Sequence, residues 1–304
     1  MSESQLFAAK PPRLRRTWSL AAIVLLLVFL VGGQMLGVIP GIALGWVDPV
    51  ALQAGEMSWQ AFRYILIFAF AATSLLVFLW VWFFENRSLA SIGLNANFLS
   101  RFLRGYGAGL GFLTAVVGII WALGGYEIES AGNLAMSSLI PVAWLLAGFV
   151  IQGSTEEIAF RGWFMSLIAS RHGLVLAIIL NSALFGLVHG MNIEMSKELV
   201  FGLVNIVLVG VFLSVYAAKE GSLWGVCGWH ASWNWLLGTG FGLPVSGQDT
   251  VVDPFLVDLV DSPDAQWWLT GGVFGPEASA VTSLILVAGT IFVLMRGKFS
   301  NFEG

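Results

Sequence analysis

The chain has 304 residues, of which 58% are hydrophobic and only 11% are charged. A soluble domain carries about a quarter charged residues, so this composition excludes a soluble enzyme. The 23 Phe and 14 Trp residues also exclude an intrinsically disordered chain. A single cysteine, Cys227, excludes an internal disulfide.

Eight apolar blocks approach or exceed the length of about 20 residues that one helical membrane crossing requires. They lie at residues 18–39, 62–84, 105–123, 134–153, 174–190, 200–218, 222–241 and 278–295. The first block has no Ala-x-Ala cleavage pattern, so we expect it to be retained as a span. The sequence therefore predicts an all-α fold, a polytopic membrane helical bundle of about eight transmembrane helices that forms a single membrane domain over residues 1–304.

The basic residues predict the orientation of the bundle, because Lys and Arg close to the spans stay on the cytoplasmic side. With the N-terminus inside, twelve of the fourteen fall on the inner side, namely Lys10, Arg13, Arg15, Arg16, Arg87, Arg101, Arg104, Arg161, Arg171, Lys219, Arg296 and Lys298. Only Arg63 and Lys197 fall outside. We therefore expect an integral membrane protein with both termini in the cytoplasm, in contact with membrane lipids and without a nucleic-acid partner.

The connection at 242–277 contains acidic residues and no Lys or Arg. It also carries Phe255, Trp267 and Trp268, aromatic residues that favour the membrane–water interface. We expect an extracytoplasmic interfacial loop or a short amphipathic helix. A binding role is the less favoured alternative.

Few ionisable side chains lie inside the apolar blocks, and those that persist at membrane depth usually face a cavity and serve a function. Glu157 and Arg161 are four residues apart, which predicts an ion pair on one helix face and leaves Glu156 unpaired as a candidate general base. The alternative is that both carboxylates cap and pair at the membrane surface. Ser154 forms a capping-box pattern with Glu157, which predicts that the helix restarts after Gly153.

A second segment places Asn181, Phe185 and His189 at intervals of four residues, which predicts a stripe that lines a cavity. Measured from the turn at 171–172, Glu156 lies 15 residues back and His189 17 residues forward. In a helical hairpin hinged at this turn, the carboxylate and the imidazole reach similar heights. The alternative is an interfacial histidine without a catalytic role.

The third segment places His230 and Asn234 on one helix face. Both side chains offer donors that can stabilise an oxyanion or orient a water molecule. The alternative is a polar contact between helices. Together, the three segments favour one shared site within a catalytic core at residues 134–241.

In this order, the three segments resemble the CPBP family of intramembrane proteases, also called the Abi or CAAX-protease and bacteriocin-processing family. The family patterns Glu-Glu-x-x-x-Arg, Phe-x-x-x-His and His-x-x-x-Asn/Asp are matched by Glu156, Glu157, Arg161, Phe185, His189, His230 and Asn234. The segment at 87–94 also looks like the family's loop before the third span. The resemblance implies hydrolysis of a peptide bond of a membrane-associated protein or peptide, with Glu157 and Arg161 bracing the site.

By the same resemblance, Glu156 activates the water and His189 positions or polarises it. His230 and Asn234 then stabilise the tetrahedral oxyanion. The resemblance also indicates a bacterial cytoplasmic (inner) membrane. It does not select a substrate.

The cofactor requirement has two interpretations. Glu156, His189 and His230 would supply the three protein ligands of a catalytic zinc. Because the sequence lacks a His-Glu-x-x-His helix, we favour a metal-free glutamate mechanism. The alternative function is a non-catalytic membrane regulator or bacteriocin immunity factor of the same fold. A transporter is disfavoured because no inverted repeat is visible.

Overall fold

The computed structural model describes Phe7, residues 17–190 and residues 196–296. Its helices are α1 Ser19–Ala43, α2 Pro49–Gln53, α3 Trp59–Tyr64, α4 Phe70–Leu79, α5 Phe98–Ala122, α6 Met136–Glu157, α7 Ser166–His172, α8 Leu174–His189, α9 Lys197–Glu220, α10 Trp224–Trp235, α11 Trp267–Thr270 and α12 Ala280–Met295. Four π-helical segments join or extend these helices, at Ile65–Ala69, Trp80–Phe84, Ile158–Met165 and Leu236–Gly240.

Helices cover all eight of the predicted apolar blocks. Five of them are long and apolar enough to cross a membrane, namely Ser19–Ala43, Trp59–Phe84, Phe98–Ala122, Met136–His172 and Lys197–Glu220. Leu174–His189 and Ala280–Met295 are shorter apolar helices. These findings confirm the polytopic helical membrane bundle, and the number of crossings stays a prediction.

One short pair of strands accompanies the helices. Strand β1, Tyr126–Ala131, pairs antiparallel with β2, Val257–Asp261, with Tyr126 opposite Asp261. The sequence of β1 alternates apolar and polar residues at its start, which is the period of a strand. The connection at 242–277, expected to be a loop or a short amphipathic helix, contains strand β2 and short helices.

The connections between helices alternate between two faces of the bundle. The ribbon face carries β1 and β2 and consists of the connections at 44–58, 123–135 and 241–279. The opposite face consists of the connections at 85–97, 173 and 221–223. On the opposite face the Leu223 N–H donates to the Gly93 carbonyl at 3.0 Å, and the Asn95 side chain donates to Gly221.

Glycines allow α10 to pack closely against its neighbours. A Cβ atom added at Gly109 of α5 would lie 2.5 Å from the Trp229 carbonyl oxygen of α10. On α6, a Cβ atom at Gly153 would lie 3.2 Å from His230 Cγ. The prediction that the helix restarts after Gly153 is wrong, because α6 is continuous there and the missing side chain admits α10 instead.

The structure also corrects the placement of Arg161 among the residues of the inner side. Its side chain is fully buried within the bundle, in the π-helical segment Ile158–Met165. Arg161 therefore carries no information about the orientation of the membrane faces.

Candidate active site

Glu156 lies near the middle of the long helix Met136–His172, and a hydrogen bond to one of its two carboxylate oxygens holds it. Its Oε1 accepts a hydrogen bond from Gln152 Nε2, one turn earlier on α6. Its Oε2 is buried and has no hydrogen-bond partner among the described residues. Glu156 thus has no Arg or Lys partner among the described residues, and one of its oxygens is hydrogen-bonded to a neutral amide.

Glu157 lies at the centre of a buried ionic network. Its Oε1 accepts from Arg161 Nη1 at 3.0 Å and from His230 Nδ1 at 2.9 Å. The side chains of Glu157 and Arg161 are both 0% exposed. The predicted Glu157–Arg161 ion pair is confirmed, and the alternative that this pair lies at the membrane surface is wrong.

Both imidazoles direct Nε2 toward Glu156. His189 Nε2 lies 3.9 Å and His230 Nε2 lies 3.8 Å from Glu156 Oε2. His189 Nδ1 lies 2.7 Å from the Phe185 carbonyl, which only accepts, so Nδ1 carries a hydrogen. At 3.8 to 3.9 Å, these contacts are too long for direct hydrogen bonds and match a site bridged by a small polar molecule.

Gln152 connects Glu156 to Asn234, and sequence reasoning missed it. Its Oε1 accepts from Asn234 Nδ2 at 2.9 Å, while its Nε2 donates to Glu156. The signal was present, because Gln152 is a polar residue in an apolar block, four residues before Glu156 and thus on the same helix face.

The stripe predicted on α8 is only partly correct. Phe185 lines the cavity and stacks edge-on against Phe160, and Arg161 Cζ lies 4.2 Å from the centre of its ring. Asn181 is fully buried elsewhere and donates to Ser214 Oγ of α9. Eight residues rotate an α-helix about 80° beyond two full turns, which turns Asn181 away from the face of His189.

These side chains border a cavity of about 520 Å³. Its walls also include apolar residues from α1, α3 and the π-helical segment after α3, among them Val38, Phe62 and Ile65. The connection at 241–279 supplies Ser246, Gln248 and Glu277, so this connection forms part of the cavity and does not merely lie at the interface.

Glu277 is a second buried carboxylate of the cavity that sequence reasoning did not select as a site residue. It accepts hydrogen bonds from Trp233 Nε1 at 3.1 Å and from the backbone and hydroxyl of Ser246. Burial raises the pKa of Glu277 above its ordinary value, and the hydrogen bonds from Ser246 oppose that shift. Only its tertiary contacts distinguish it from the other acidic residues of the connection.

The donor chemistry of Glu156, His189 and His230 suits zinc, but their arrangement does not match a metal site. Among the described residues, no group of three His, Cys, Asp or Glu side chains is placed to hold a metal ion. We therefore derive no catalytic step through a metal, and the metal-free mechanism stays a prediction.

The fold and this site define a class of protein, an integral membrane protein with a cavity between its helices that polar side chains border. Residues 137–236 match the family model described as "Type II CAAX prenyl endopeptidase Rce1-like". This match includes all three motif segments and agrees with the resemblance to the CPBP or CAAX-protease family. The family supports a membrane endopeptidase as the general class of activity.

Comparisons with curated proteins and with solved structures find no match.

Proposed function

We propose that this protein hydrolyses a peptide bond of a membrane-associated protein or peptide, with Glu156 as the general base for the attacking water. The observation that carries the proposal is the convergence of Glu156 Oε2 with two imidazole Nε2 atoms at 3.8 and 3.9 Å. The free carboxylate oxygen at the cavity is the atom that accepts the water proton.

His189 orients the attacking water. With its hydrogen on Nδ1 and donated to the Phe185 carbonyl, neutral His189 presents a lone pair on Nε2. A water molecule between Glu156 Oε2 and His189 Nε2 directs one hydrogen to the carboxylate and the other to the imidazole. The water oxygen is then free to attack the scissile carbonyl, because both of its hydrogens are held.

His230 stabilises the oxyanion in its protonated form. Its Nδ1 donates to the buried Glu157 carboxylate, which favours the imidazolium. The charges of Glu156, Glu157, Arg161 and a protonated His230 also sum to zero, so this group of four carries no uncompensated charge. The Nε2–H of this imidazolium is the donor to the developing oxyanion.

Asn234 contributes through its side-chain amide, which lies on the same helix one turn after His230. Its Nδ2 donates to Gln152 Oε1 at 2.9 Å. In the proposed mechanism it either keeps Gln152 and Glu156 in position or turns to the oxyanion. Glu157 and Arg161 hold His230 and do not contact substrate.

The test compares two variants of site residues with two matched variants outside the site. Glu156→Gln and His230→Ala are purified in detergent and incubated with a candidate membrane-anchored peptide. Loss of the base is expected to slow cleavage by about 10²- to 10⁴-fold. Glu129→Gln, on exposed β1, and His172→Ala, on the opposite face, are expected to cleave at the rate of the parent. Cleavage by both site variants at the parent rate would show that the assignment is wrong.

The alternative function, a non-catalytic regulator or immunity factor, keeps the same residues for stability or partner binding. In that case the parent protein would not cleave the peptide, and Glu156→Gln would only lower the thermal stability. We favour catalysis because Glu156 Oε2 is buried without a hydrogen-bond partner among the described residues, an arrangement that costs stability.

We also propose a bacterial cytoplasmic membrane and cytoplasmic termini, on the distribution of basic residues in the sequence. Lipids contact the exposed apolar side chains of the long helices, such as Leu20, Val31 and Phe83. We propose further that the mechanism uses no metal and that the protein has no nucleic-acid partner.

A further inference from the structure

We infer that the catalytic cavity is loaded from the extracytoplasmic side, so that its substrate is an exported, membrane-anchored peptide. This inference rests on the proposed hydrolytic function. It excludes a cytoplasmic Cys-a-a-X tail as the substrate. Four features of the bundle carry it.

The cavity lies toward the ribbon face. The connection at 44–58 contributes Met57 to its wall, and the connection at 241–279 contributes Gln248 and Thr250. His189 is the last residue of α8, at the end of the helix directed to the ribbon face, and its side chain is 23% exposed. Protein therefore covers the site incompletely at this end of α8.

The short length of α8 leaves its end at His189 short of the full thickness of the hydrocarbon core. Its 16 residues span about 24 Å, less than the roughly 30 Å of the hydrocarbon core. Irregular backbone at membrane depth is stable only where protein buries it or where it lines a water-filled cavity. The connection at 241–279 meets this condition, because it packs over the bundle and borders the cavity.

The bundle is closed between the site and the opposite face. Arg161, Trp163 and Ile92 are each 0% exposed in this layer. Beneath them, the buried Glu85 carboxylate accepts from Thr17 Oγ1 at 2.7 Å and Arg87 Nη1 at 3.0 Å. Side chains thus fill the path to the opposite face within the described part of the chain.

The described basic residues mark the opposite face as cytoplasmic, since Lys and Arg near membrane spans remain inside. Those at or near the opposite face are Arg87, Arg101, Arg104, Arg171, Lys219 and Arg296. At the ribbon face the described chain has Arg63 and Lys197. The face that bears the cavity is therefore the extracytoplasmic one.

The test labels single cysteines in intact cells with a membrane-impermeant thiol reagent, before and after the cells are permeabilised. Gln248→Cys reports the ribbon face, Gln34→Cys reports the cavity wall on α1, and Ser100→Cys reports the opposite face. The parent gives the background, because its one cysteine, Cys227, is fully buried. None of the three positions belongs to the proposed catalytic machinery.

We expect Gln248→Cys and Gln34→Cys to react before permeabilisation and Ser100→Cys only afterwards. The opposite order would overturn the inference, and so would a Gln34→Cys that stays unreactive while Gln248→Cys reacts. Labelling does not depend on catalysis, and the same cysteines in a Glu156→Gln background should label identically. Failure of the inference is thus distinct from failure of the proposed hydrolysis, which the cleavage assay measures.

Discussion

At the scale of single residues, the site depends on groups that hold Glu156 without touching substrate. Gln152 is the clearest of these positioning residues, because one amide both donates to Glu156 and accepts from Asn234. An isolated glutamate on the same helix would sample several rotamers. The amide selects the rotamer that directs Oε2 to the two imidazoles.

We therefore predict that Gln152→Ala lowers kcat by about tenfold or more and leaves KM nearly unchanged, since a hydrogen bond to a charged group contributes about 1.5 to 3 kcal/mol. Steady-state kinetics on one membrane-anchored peptide measures the two constants separately. Gln53→Ala, at the exposed end of α2, is the control. An unchanged kcat would remove Gln152 from the mechanism.

The metal question also belongs to this scale. We predict that cleavage persists after chelation and that the purified protein contains no stoichiometric zinc, because Glu156 itself takes the proton. Metal analysis and a chelator titration measure this together. Activity that is lost on chelation and restored by added zinc would instead assign Glu156, His189 and His230 as ligands.

At the scale of elements, helix contacts place the catalytic groups. Glu157 and His230 are 73 residues apart in the chain and bond at 2.9 Å because α10 packs against α6 at Gly153 and against α5 at Gly109. A π-helical segment, Ile158–Met165, begins directly after Glu157. Such segments are frequent at functional sites.

Two glycines of α5 test this packing. We predict that Gly109→Ala destabilises the protein by about 1 to 3 kcal/mol, the usual cost of overpacking, because its Cβ would lie 2.5 Å from the Trp229 carbonyl oxygen. Gly111→Ala is the matched control, with no neighbouring atom within 4 Å of the new Cβ. Thermal unfolding in detergent measures both. Equal melting temperatures would contradict the proposed helix contact.

At the scale of the whole molecule, Glu277 joins the connection at 241–279 to the bundle through Trp233 and Ser246. Because burial raises its pKa, the folded state holds the proton more tightly than the unfolded state. The stability contribution of Glu277 is thus complete below its ordinary pKa of about 4.5 and declines as the pH rises through its raised value.

We predict that Glu277→Gln has a flatter dependence of melting temperature on pH than the parent over this range. The amide cannot ionise, so it removes the proton linkage. Melting curves of both proteins at a series of pH values give the comparison, with Asp264→Gln as an exposed acidic control on the same connection. If the melting temperatures of the parent and Glu277→Gln change with pH in parallel, proton binding by Glu277 does not contribute to the pH dependence of stability.

The sequence by itself determined the features that depend on local spacing and on composition. The length of the apolar blocks predicts the membrane helices, because a helix satisfies all the hydrogen bonds of its own backbone within lipid. A spacing of four residues specifies the Glu157–Arg161 pair, and the ordered motifs indicate the family. The alternating residues of β1 carried a signal that the helical interpretation overlooked.

Only the tertiary structure decided which polar groups share the site. Contacts between distant segments decide three features of the site. The side chain of Asn181 faces away from the cavity, the amide of Gln152 joins two helices, and the carboxylate of Glu277 lies in the cavity wall. Such contacts also decide the contribution of the connection at 241–279 to the cavity wall. The physical reason is that hydrophobicity places a helix in the membrane but leaves its rotation and its neighbours to side-chain packing. For α10 this packing depends on two distant glycines, Gly109, 120 residues before Trp229, and Gly153, 77 residues before His230.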